Sequence, residues 1–233
     1  MQNTPRVITV ASSKGGVGKS TICISLAGCL AHRGQNVHII DLDANCTVRR
    51  WFKQHRISIP NLSVEQVNPS DLLAHLKEVC AHKSSPDYIL IDVAGLYEKA
   101  LLHAMARSNL VIVPAQPSEP DLHEAMKIIR DLSELNENFS GQIPYRLLLN
   151  MVEPLDPQYQ RYTIGEVTRL GLSRFDTLMH KRAAYREAFL NGQTPHQAAE
   201  GRVAAQKAKA EIDAIVGEIE ELLQTASLVK EAA

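Results

Sequence analysis

Short apolar runs alternate along the chain with helix-length segments, and this alternation restricts the fold more than any other feature of the sequence. Near-continuous apolar runs are typical of strands that are buried on both faces of a parallel sheet. Helices between such strands indicate an α/β fold with a mostly parallel, twisted sheet and helices on both of its faces. The predicted strands span residues 7–11, 37–41, 88–92, 110–114 and 147–150, and predicted helices include 21–32, 69–81 and 121–135.

The composition is that of a globular chain, with 233 residues of which 45% are hydrophobic and 22% charged. A chain of this length can bury a core without disulfides, so we expect one domain over residues 1–233. No run approaches the roughly 18 apolar residues of a membrane span, and residues 1–6 do not resemble a signal peptide. The four cysteines form no Cys-x-x-Cys pair, which argues against a zinc site or a disulfide framework and favours the cytoplasm.

The charge is unevenly distributed, although the whole chain has a formal net charge of only −1. Residues 160–210 contain nine basic and four acidic side chains, whereas residues 211–233 contain one basic and six acidic side chains. A globally basic nucleic-acid binder is therefore excluded, but a local basic segment is not. We expect residues 211–233 to form an acidic C-terminal helix that follows the basic segment.

A glycine-rich stretch, Lys14-Gly15-Gly16-Val17-Gly18-Lys19-Ser20-Thr21, lies between the first predicted strand and the following helix. Glycines allow the backbone to wrap around phosphates and direct N–H groups at them, and the helix N-terminus adds a partial positive charge. Lys19 is placed to reach the β- and γ-phosphates, and the Ser20 hydroxyl can bind Mg²⁺. Thr21 either contacts the α-phosphate or caps the helix. The general pattern for such loops has a glycine where this chain has Ser13.

Carboxylates follow two of the predicted strands. Asp41 and Asp43 stand at the end of the strand 37–41, and Asp92 ends the strand 88–92. The carboxyl ends of parallel strands share one edge of the sheet, so these groups should face the glycine-rich loop, where Mg²⁺ and an attacking water need oxygen partners. Taken singly, each aspartate could equally be a turn residue or a helix cap.

The form Lys-Gly-Gly-x-Gly-Lys-Ser resembles the deviant Walker A loop of the ParA/MinD superfamily of P-loop ATPases. The resemblance implies an ATP-sandwich homodimer in which Lys14 reaches the nucleotide of the partner. It also implies that Asp92 is a Walker B residue that holds Mg²⁺ through water, and that Asp43 orients the hydrolytic water. Asp41 would support Mg²⁺ and the loop geometry.

Further segments extend the resemblance over most of residues 6–220. Asn150 stands where relatives use an asparagine to bind adenine, and residues 114–121 resemble a proline-rich loop that lines the base or the dimer interface; Asp121 could equally cap a helix. Residues 182–188 and 192–195 resemble the C-terminal segment of short ParA proteins. The similarity is to the short branch, which includes ParF-like and VirC-type proteins. Because the first strand is predicted from residue 6, we expect no helix-turn-helix and no sequence-specific operator binding.

The chain departs from the family pattern after both acidic motifs. Residues 44–46 are Ala-Asn-Cys where members usually have Pro-Gln, and residues 93–95 are Val-Ala-Gly where many have prolines. We therefore expect switch loops with altered timing and slow, partner-stimulated hydrolysis. Gly95 retains a small residue of the kind that a nucleotide switch needs.

The resemblance also implies that the ATP-bound dimer binds DNA non-specifically through basic residues near the C-terminus. Lysine and arginine clusters bind phosphates without reading bases, although each residue alone could be part of a solvated face. The candidates are Arg174, Lys181, Arg182, Arg186, Arg202, Lys207 and Lys209. The apolar stripe of the last helix, residues 212–223, should pack on the domain, and its acidic opposite face argues against membrane targeting.

The sequence thus predicts an ATP-dependent, dimerising partition or positioning ATPase. It would bind Mg²⁺ and ATP, associate with the nucleoid in its ATP state, and segregate plasmid DNA or another large cargo with a ParB-like or adaptor partner. The alternatives are a VirC-like accessory ATPase of conjugative or T-DNA transfer, a protein-cluster positioner, and an amidotransferase-type metabolic enzyme on the same fold. An iron–sulfur carrier and a scaffold with a dead nucleotide site are less consistent with the cysteine spacing and the intact motifs.

Overall fold

A seven-stranded parallel sheet forms the centre of the computed structural model, which describes residues 4–93, 98–138 and 142–231. The strand order is β3-β2-β4-β1-β5-β6-β7, and every neighbouring pair is parallel. The strands are β1 (Arg6–Val10), β2 (Val37–Asp41), β3 (Leu62–Gln66), β4 (Tyr88–Asp92), β5 (Leu110–Ala115), β6 (Tyr145–Val152) and β7 (Met179–His180). The predicted α/β fold with a mostly parallel sheet is confirmed.

Helices cover both faces of this sheet. The described helices are α1 (Lys19–His32), α2 (Thr47–Gln54), α3 (Leu72–Ala81), α4 (Glu98–Ala106), α5 (Glu119–Asn138), α6 (Gln158–Arg169), α7 (Ala183–Leu190), α8 (Pro195–Gly201) and α9 (Val203–Glu231). One apolar core contains side chains of α1, α2 and α7–α9, and the other contains side chains of α3–α6. None of the helices in the described ranges is long and apolar enough to cross a membrane.

The continuous apolar runs result from burial on both faces of the strands. Along β2, Ile39 packs into the core beneath α1, whereas Ile40 packs into the core beneath α3. Leu90 and Ile91 of β4 alternate in the same way, and all four side chains are fully buried. A strand between two helical layers has no solvent-facing side, so a period-two polar pattern is lost.

The sequence prediction missed the less apolar elements of the fold. Strand β3 lies at the edge of the sheet, where Ser63, Glu65 and Gln66 are exposed, and β7 has only two residues. Of the predicted helix at 69–81, the first three residues form a short 3-10 helix before α3 begins. Edge and short strands lack the continuous apolar pattern that identifies buried strands.

The basic and acidic parts of the C-terminal third share one helix. Because α9 begins at Val203, the predicted boundary of the acidic helix at residue 211 is wrong by eight residues. The alanine-rich start of α9 favours helix in spite of its basic side chains. The predicted apolar stripe does pack on the domain, with Ile212, Ile215, Val216 and Ile219 fully buried beside α1 and α8.

The contact between α1 and α8 depends on a glycine. A Cβ atom at Gly28 would lie 2.5 Å from Cγ2 of Thr194, the buried residue that caps α8. We expect Gly28→Ala to destabilise the protein by about 1–3 kcal/mol, because the added methyl group overpacks this contact. Chemical denaturation with urea, followed by circular dichroism, measures the change.

Gly217 provides the matched control, because it also lies inside a helix but a Cβ atom there would meet open space among the described residues. Gly217→Ala should raise the free energy of unfolding by about 0.5–1 kcal/mol, since alanine loses less backbone entropy in a helix. Equal stabilisation by both substitutions would contradict the steric role of Gly28.

Candidate nucleotide-binding site

The glycine-rich loop connects the end of β1 to the first turn of α1, as the sequence predicts. Gly16 and Gly18 have positive φ angles of 80° and 91°, a region that L side chains rarely adopt. A Cβ atom at Gly18 would also lie 2.4 Å from Nδ2 of Asn150. Gly18 therefore has to be glycine for both conformational and steric reasons. Gly18 precedes α1, so the loop stands at the positive end of the helix dipole.

Lys19 lies across this loop. Its Nζ atom donates a hydrogen bond to the carbonyl oxygen of Lys14 at 2.7 Å. Burial lowers the pKa of the Lys19 ammonium, whereas the nearby carboxylates of Asp92 and Asp43 act to raise it. A partly desolvated cation at a helix N-terminus interacts strongly with an anion, and Lys19 is therefore in a position to bind phosphate.

Ser20 links the first turn of α1 to the end of β4. Its hydroxyl donates to Oδ2 of Asp92 at 2.6 Å. The other carboxylate oxygen of Asp92, Oδ1, is buried and has no hydrogen-bond partner among the described residues. The pKa of Asp92 is raised to about 6, chiefly by burial; the Ser20 hydrogen bond and Lys19 act to lower it, whereas the Asp41 carboxylate acts to raise it.

This arrangement fits a magnesium ion. A buried carboxylate oxygen without a partner is energetically costly, and a hard divalent cation would satisfy it. The Ser20 hydroxyl and the Asp92 carboxylate supply the oxygen ligands that Mg²⁺ prefers, beside a loop that suits phosphates. The residues present therefore fit Mg²⁺, with Ser20 and Asp92 as the pair that would hold it.

Asp41 lies beside Asp92 in the sheet register but has different partners. Its Oδ1 accepts the backbone N–H of Asp43 at 3.0 Å, and its Oδ2 accepts that of Arg49 at 2.9 Å. Burial raises the pKa of Asp41, and these hydrogen bonds counteract the rise. The carboxylate thus fixes the turn between β2 and α2, while its predicted support of Mg²⁺ stays a prediction.

Asp43 shapes the same turn. Its Oδ1 accepts the backbone N–H of Asn45 at 2.9 Å, and its Oδ2 accepts the Thr47 hydroxyl at 3.0 Å. The non-standard residues 44–46 therefore form a turn that Asp43 closes, and Cys46 adopts a positive φ of 52° before α2 begins. Its predicted orientation of a hydrolytic water stays a prediction. Ala94 and Gly95 of the other non-standard segment lie outside the described residues.

The Lys14 side chain contacts helix α5 instead of the loop. Its Nζ atom forms an ion pair with Oδ2 of Asp121 at 2.7 Å, and the Ser118 hydroxyl donates to the same oxygen at 2.6 Å. The Lys14 side chain is 40% exposed, whereas Asp121 is 5% exposed. Asp121 lies in the first turn of α5, where its carboxylate binds the loop lysine. This contact joins the proline-rich segment to the glycine-rich loop.

Asn150 holds the loop from the other side. Its buried amide donates from Nδ2 to the carbonyl oxygen of Val17 at 2.7 Å, and its Oδ1 accepts the backbone N–H of Met151. A cavity of about 450 Å³ begins beside it, which is large enough for a purine base. Residues that border this cavity include Gly18, Thr21, Asn150, Tyr185, Arg186 and Phe189. Contact between Asn150 and adenine stays a prediction.

The seven basic candidates are divided between different surroundings, and their role in DNA binding stays a prediction. Lys181, Arg182 and Arg186 border the cavity beside Asn150, whereas Arg174 borders a different cavity together with Glu218. Arg186 and Lys207 are exposed. Four candidates form ion pairs: Lys181 with Glu153, Arg182 with Glu211, Arg202 with Glu187 and Lys209 with Asp213.

Several contacts of the site could not be identified from the sequence. Ser13 donates to Glu124 of α5 at 2.8 Å, and Gln116 donates to the carbonyl oxygen of Gly16 at 3.4 Å. The partners in each pair are at least 100 residues apart, and only the parallel order of β1 and β5 brings them together. The local sequence feature that pointed towards these contacts was the proline-rich segment at 114–121, which ends at Asp121.

The chain is similar to known proteins over most of its length. It is 26% identical over 202 residues to the protein ParA of Rhizobium radiobacter, covering 85% of this chain and 90% of the relative. It is also 26% identical over 223 residues to the maintenance of carboxysome distribution protein A of Halothiobacillus neapolitanus, covering 93% and 97%. The fold is similar to that of MinD from Pyrococcus horikoshii in complex with Mg-ADP, with a TM-score of 0.73, 19% identity and coverage of 95% and 98%.

A family model described as the CobQ/CobB/MinD/ParA nucleotide binding domain matches residues 8–195. This range includes the loop from Lys14 to Thr21, the Asp92 carboxylate that it contacts, and Asn150. Because the match spans far more than half of the sequence, the chain belongs to the CobQ/CobB/MinD/ParA family of nucleotide-binding domains.

Proposed function

We propose that this chain is an ATP-dependent positioning ATPase that dimerises on ATP binding and, in that state, binds non-specific DNA to segregate plasmid DNA or another large cargo. The observation that carries the proposal is the separation of the two loop lysines. Lys19 lies over the loop itself, whereas Lys14 is bound outside it by Asp121. The two ammonium groups are therefore suited to different phosphates.

Lys14 is suited to a nucleotide held by a second copy. Its side chain is 40% exposed, and its ion pair with Asp121 is a contact that a more strongly charged triphosphate can replace. In the nucleotide-free state, Asp121 would keep Lys14 extended at the surface. ATP bound to a second copy would then draw the ammonium away from Asp121, so that dimerisation depends on the nucleotide.

The bound cofactors would be ATP and Mg²⁺. Backbone N–H groups of the loop and the Lys19 ammonium would hold the phosphates, and Ser20 with Asp92 would hold the metal ion. When bound, Mg²⁺ would neutralise phosphate charge. Asp43 would orient the water that attacks the γ-phosphate. The turn that Asp43 closes would release the Asp43 carboxylate for this role.

The surface for DNA would be built from exposed basic side chains within α7 and α9 and just before each of these helices. Surface ion pairs contribute only about 0–1 kcal/mol, so half-exposed Lys181 and Arg202 can exchange a carboxylate for a DNA phosphate. Arg186 and Lys207 are exposed and need less rearrangement. Release would follow hydrolysis, stimulated by a ParB-like or adaptor partner.

A protein assembly is the second candidate cargo. The relative named for carboxysome distribution is matched along 93% of this chain and 97% of its own length. A positioner of this kind would use the same nucleotide cycle with a different adaptor. Recovery of a partner that is part of a protein cluster would favour this cargo over plasmid DNA.

Asp92 gives the nucleotide-free protein a measurable pH dependence. Its folded pKa of about 6 lies above the ordinary value of 3.8, so the folded state binds this proton more tightly than the unfolded state. The contribution of this group to stability is therefore present at low pH and is lost as the pH rises through about 6. Asp92→Asn should remove this loss, so that the stability of the variant relative to the wild type rises by about 1–2 kcal/mol from pH 5 to 7.5.

Urea denaturation at the two pH values, without Mg²⁺, measures this difference. Added Mg²⁺ should stabilise the wild type at pH 7.5 more than the variant, because the ion would occupy the unpaired oxygen. Asp71→Asn is the control, since Asp71 is an exposed carboxylate beside α3 and outside the site. If the free energies of unfolding of the wild type and Asp92→Asn differed by the same amount at both pH values, Asp92 would not titrate in this range.

Lys14→Ala should abolish ATP-driven dimerisation while retaining nucleotide binding by the monomer. The remaining loop keeps Lys19 and Ser20 in place, but no ammonium is left to cross to a partner. Light scattering after size exclusion, with ATP and Mg²⁺, gives the mass, and a fluorescent ATP analogue reports binding. Asp43→Ala is the control that should still form a stable ATP dimer. A dimer of Lys14→Ala would contradict the proposed role.

DNA binding is tested by fluorescence anisotropy on an arbitrary duplex, with ATP, with ADP and without nucleotide. We expect binding only with ATP, with an affinity that falls steeply with salt. The variant Arg186→Ala/Lys207→Ala should reduce the logarithmic salt slope by about 0.9 for each DNA phosphate that is no longer neutralised. Lys77→Ala/Lys83→Ala removes the same charge from exposed positions elsewhere and should bind as the wild type does. Absence of binding in every state would contradict the DNA proposal.

A further inference from the structure

Two histidines and a glutamate converge at the β2–β3 edge of the sheet, apart from the nucleotide-binding loop. They are His38 of β2, Glu65 of β3 and His75 of α3. The Nε2 atoms of the two imidazole rings are 3.4 Å apart, and Oε2 of Glu65 is 3.8 Å from Nε2 of His75. The three ligand atoms all lie within 4.8 Å of one another. Three separate elements thus direct one nitrogen or oxygen atom each towards a common point.

In one of its two neutral tautomers, His38 has a lone pair on Nε2 that is available for a ligand bond. The Nδ1 atom lies 2.8 Å from the hydroxyl oxygen of Ser63, and that hydroxyl donates its own hydrogen to the carbonyl oxygen of Val37 at 3.4 Å. In that arrangement the Ser63 oxygen accepts a hydrogen from Nδ1, and Nε2 of His38 carries a lone pair that faces Nε2 of His75. An outer hydrogen bond that fixes the tautomer in this way is typical of histidines that bind metals.

The distance between the rings matches a tetrahedral zinc ion. Zinc–nitrogen bonds of about 2.0–2.1 Å at the tetrahedral angle place two nitrogen ligands about 3.4 Å apart. The observed separation of the two Nε2 atoms is 3.4 Å. Burial lowers the pKa of His38.

Access and burial also suit a bound ion. His38 is 8% exposed and the His75 side chain 15%, whereas Glu65 is 57% exposed and can move to complete the site. The cluster borders an open cavity of about 660 Å³, which provides a path from the solvent. Glu78 and His82 border the same cavity. Three protein ligands leave one tetrahedral position for water.

We propose that His38, Glu65 and His75 form a binding site for one Zn²⁺ ion. The site uses no cysteine, which is why the cysteine spacing gave no indication of it. The bound ion would tie the edge strand β3 and helix α3 to β2. Because Zn²⁺ would bind the folded chain and not the unfolded one, it would stabilise this edge of the sheet.

The other cluster of metal-binding residue types lacks these properties. Cys29, His196 and Asp213 also converge, but Asp213 already forms ion pairs with Arg33 at 3.4 Å and Lys209 at 2.6 Å. Two cations beside the carboxylate would repel a metal ion. Burial also raises the pKa of the Cys29 thiol to about 12, so the thiolate that a metal needs is not formed.

The test is a titration of the nucleotide-free protein with Zn²⁺ in competition with a chromophoric chelator, in excess Mg²⁺ to occupy the carboxylates of the loop. The wild type should bind one equivalent of Zn²⁺ tightly. His75→Gln and Glu65→Gln should each weaken this binding, by roughly 100-fold for the histidine, because each removes a ligand. His103→Gln changes an exposed histidine of α4 and should bind as the wild type does.

Two further measurements separate loss of a ligand from loss of the fold. Zn²⁺ should raise the thermal midpoint of the wild type but not that of His75→Gln, and His75→Cys should restore binding because a thiolate replaces the imidazole. Anomalous diffraction from a Zn²⁺-soaked crystal should place the ion between the three side chains. Wild-type affinity in His75→Gln, or an ion found only at Ser20 and Asp92, would overturn the proposal.

Discussion

The hydrogen bond between Ser20 and Asp92 is the contact on which the nucleotide-binding site depends. It joins the first turn of α1 to the end of β4, and it uses only one oxygen of a buried carboxylate. The parallel sheet fixes this geometry, because β4 lies between β1 and β2 and delivers Asp92 beside both the loop and Asp41. A buried carboxylate oxygen without a partner is energetically costly, so a cation bound at this oxygen would stabilise the folded chain.

The remaining contacts of the loop determine its shape before a nucleotide binds. Asn150 holds the Val17 carbonyl group from β6, and Asp121 holds Lys14 from α5. The loop is thus fixed at both ends by elements that follow it by more than 100 residues in the chain. Phosphate binding to a pre-formed loop costs little conformational entropy, since the backbone does not have to be ordered when the phosphate binds. Lys14 is the exception, because its side chain is 40% exposed and its ammonium is bound by α5 and not by the loop.

The sequence alone could predict the features that depend on local patterns. Buried strands, the glycine-rich loop and Asp92 are all encoded within a few neighbouring residues, and the structure brings the loop and Asp92 together at the carboxyl ends of the strands as expected. Contacts between distant segments could not be predicted in this way. The Lys14–Asp121 pair needs the order of β1 and β5, and the ion pair of Arg182 with Glu211 needs the packing of α9. The basic segment was inferred from composition, which does not show that many of its charges are paired.

Strand β2 connects the two proposed ion sites without merging them. Successive side chains of a strand point to opposite faces of the sheet, so His38 and Asp41, three residues apart, belong to opposite faces. His38 shares its face with Ile40 and meets α3, whereas Asp41 fixes the turn before α2. The strand is paired on both sides, with β3 and β4. An ion held at His38 would therefore stiffen the strand that ends at Asp41 while leaving the ligands of the nucleotide site unchanged, because the two proposed sites share no side chain.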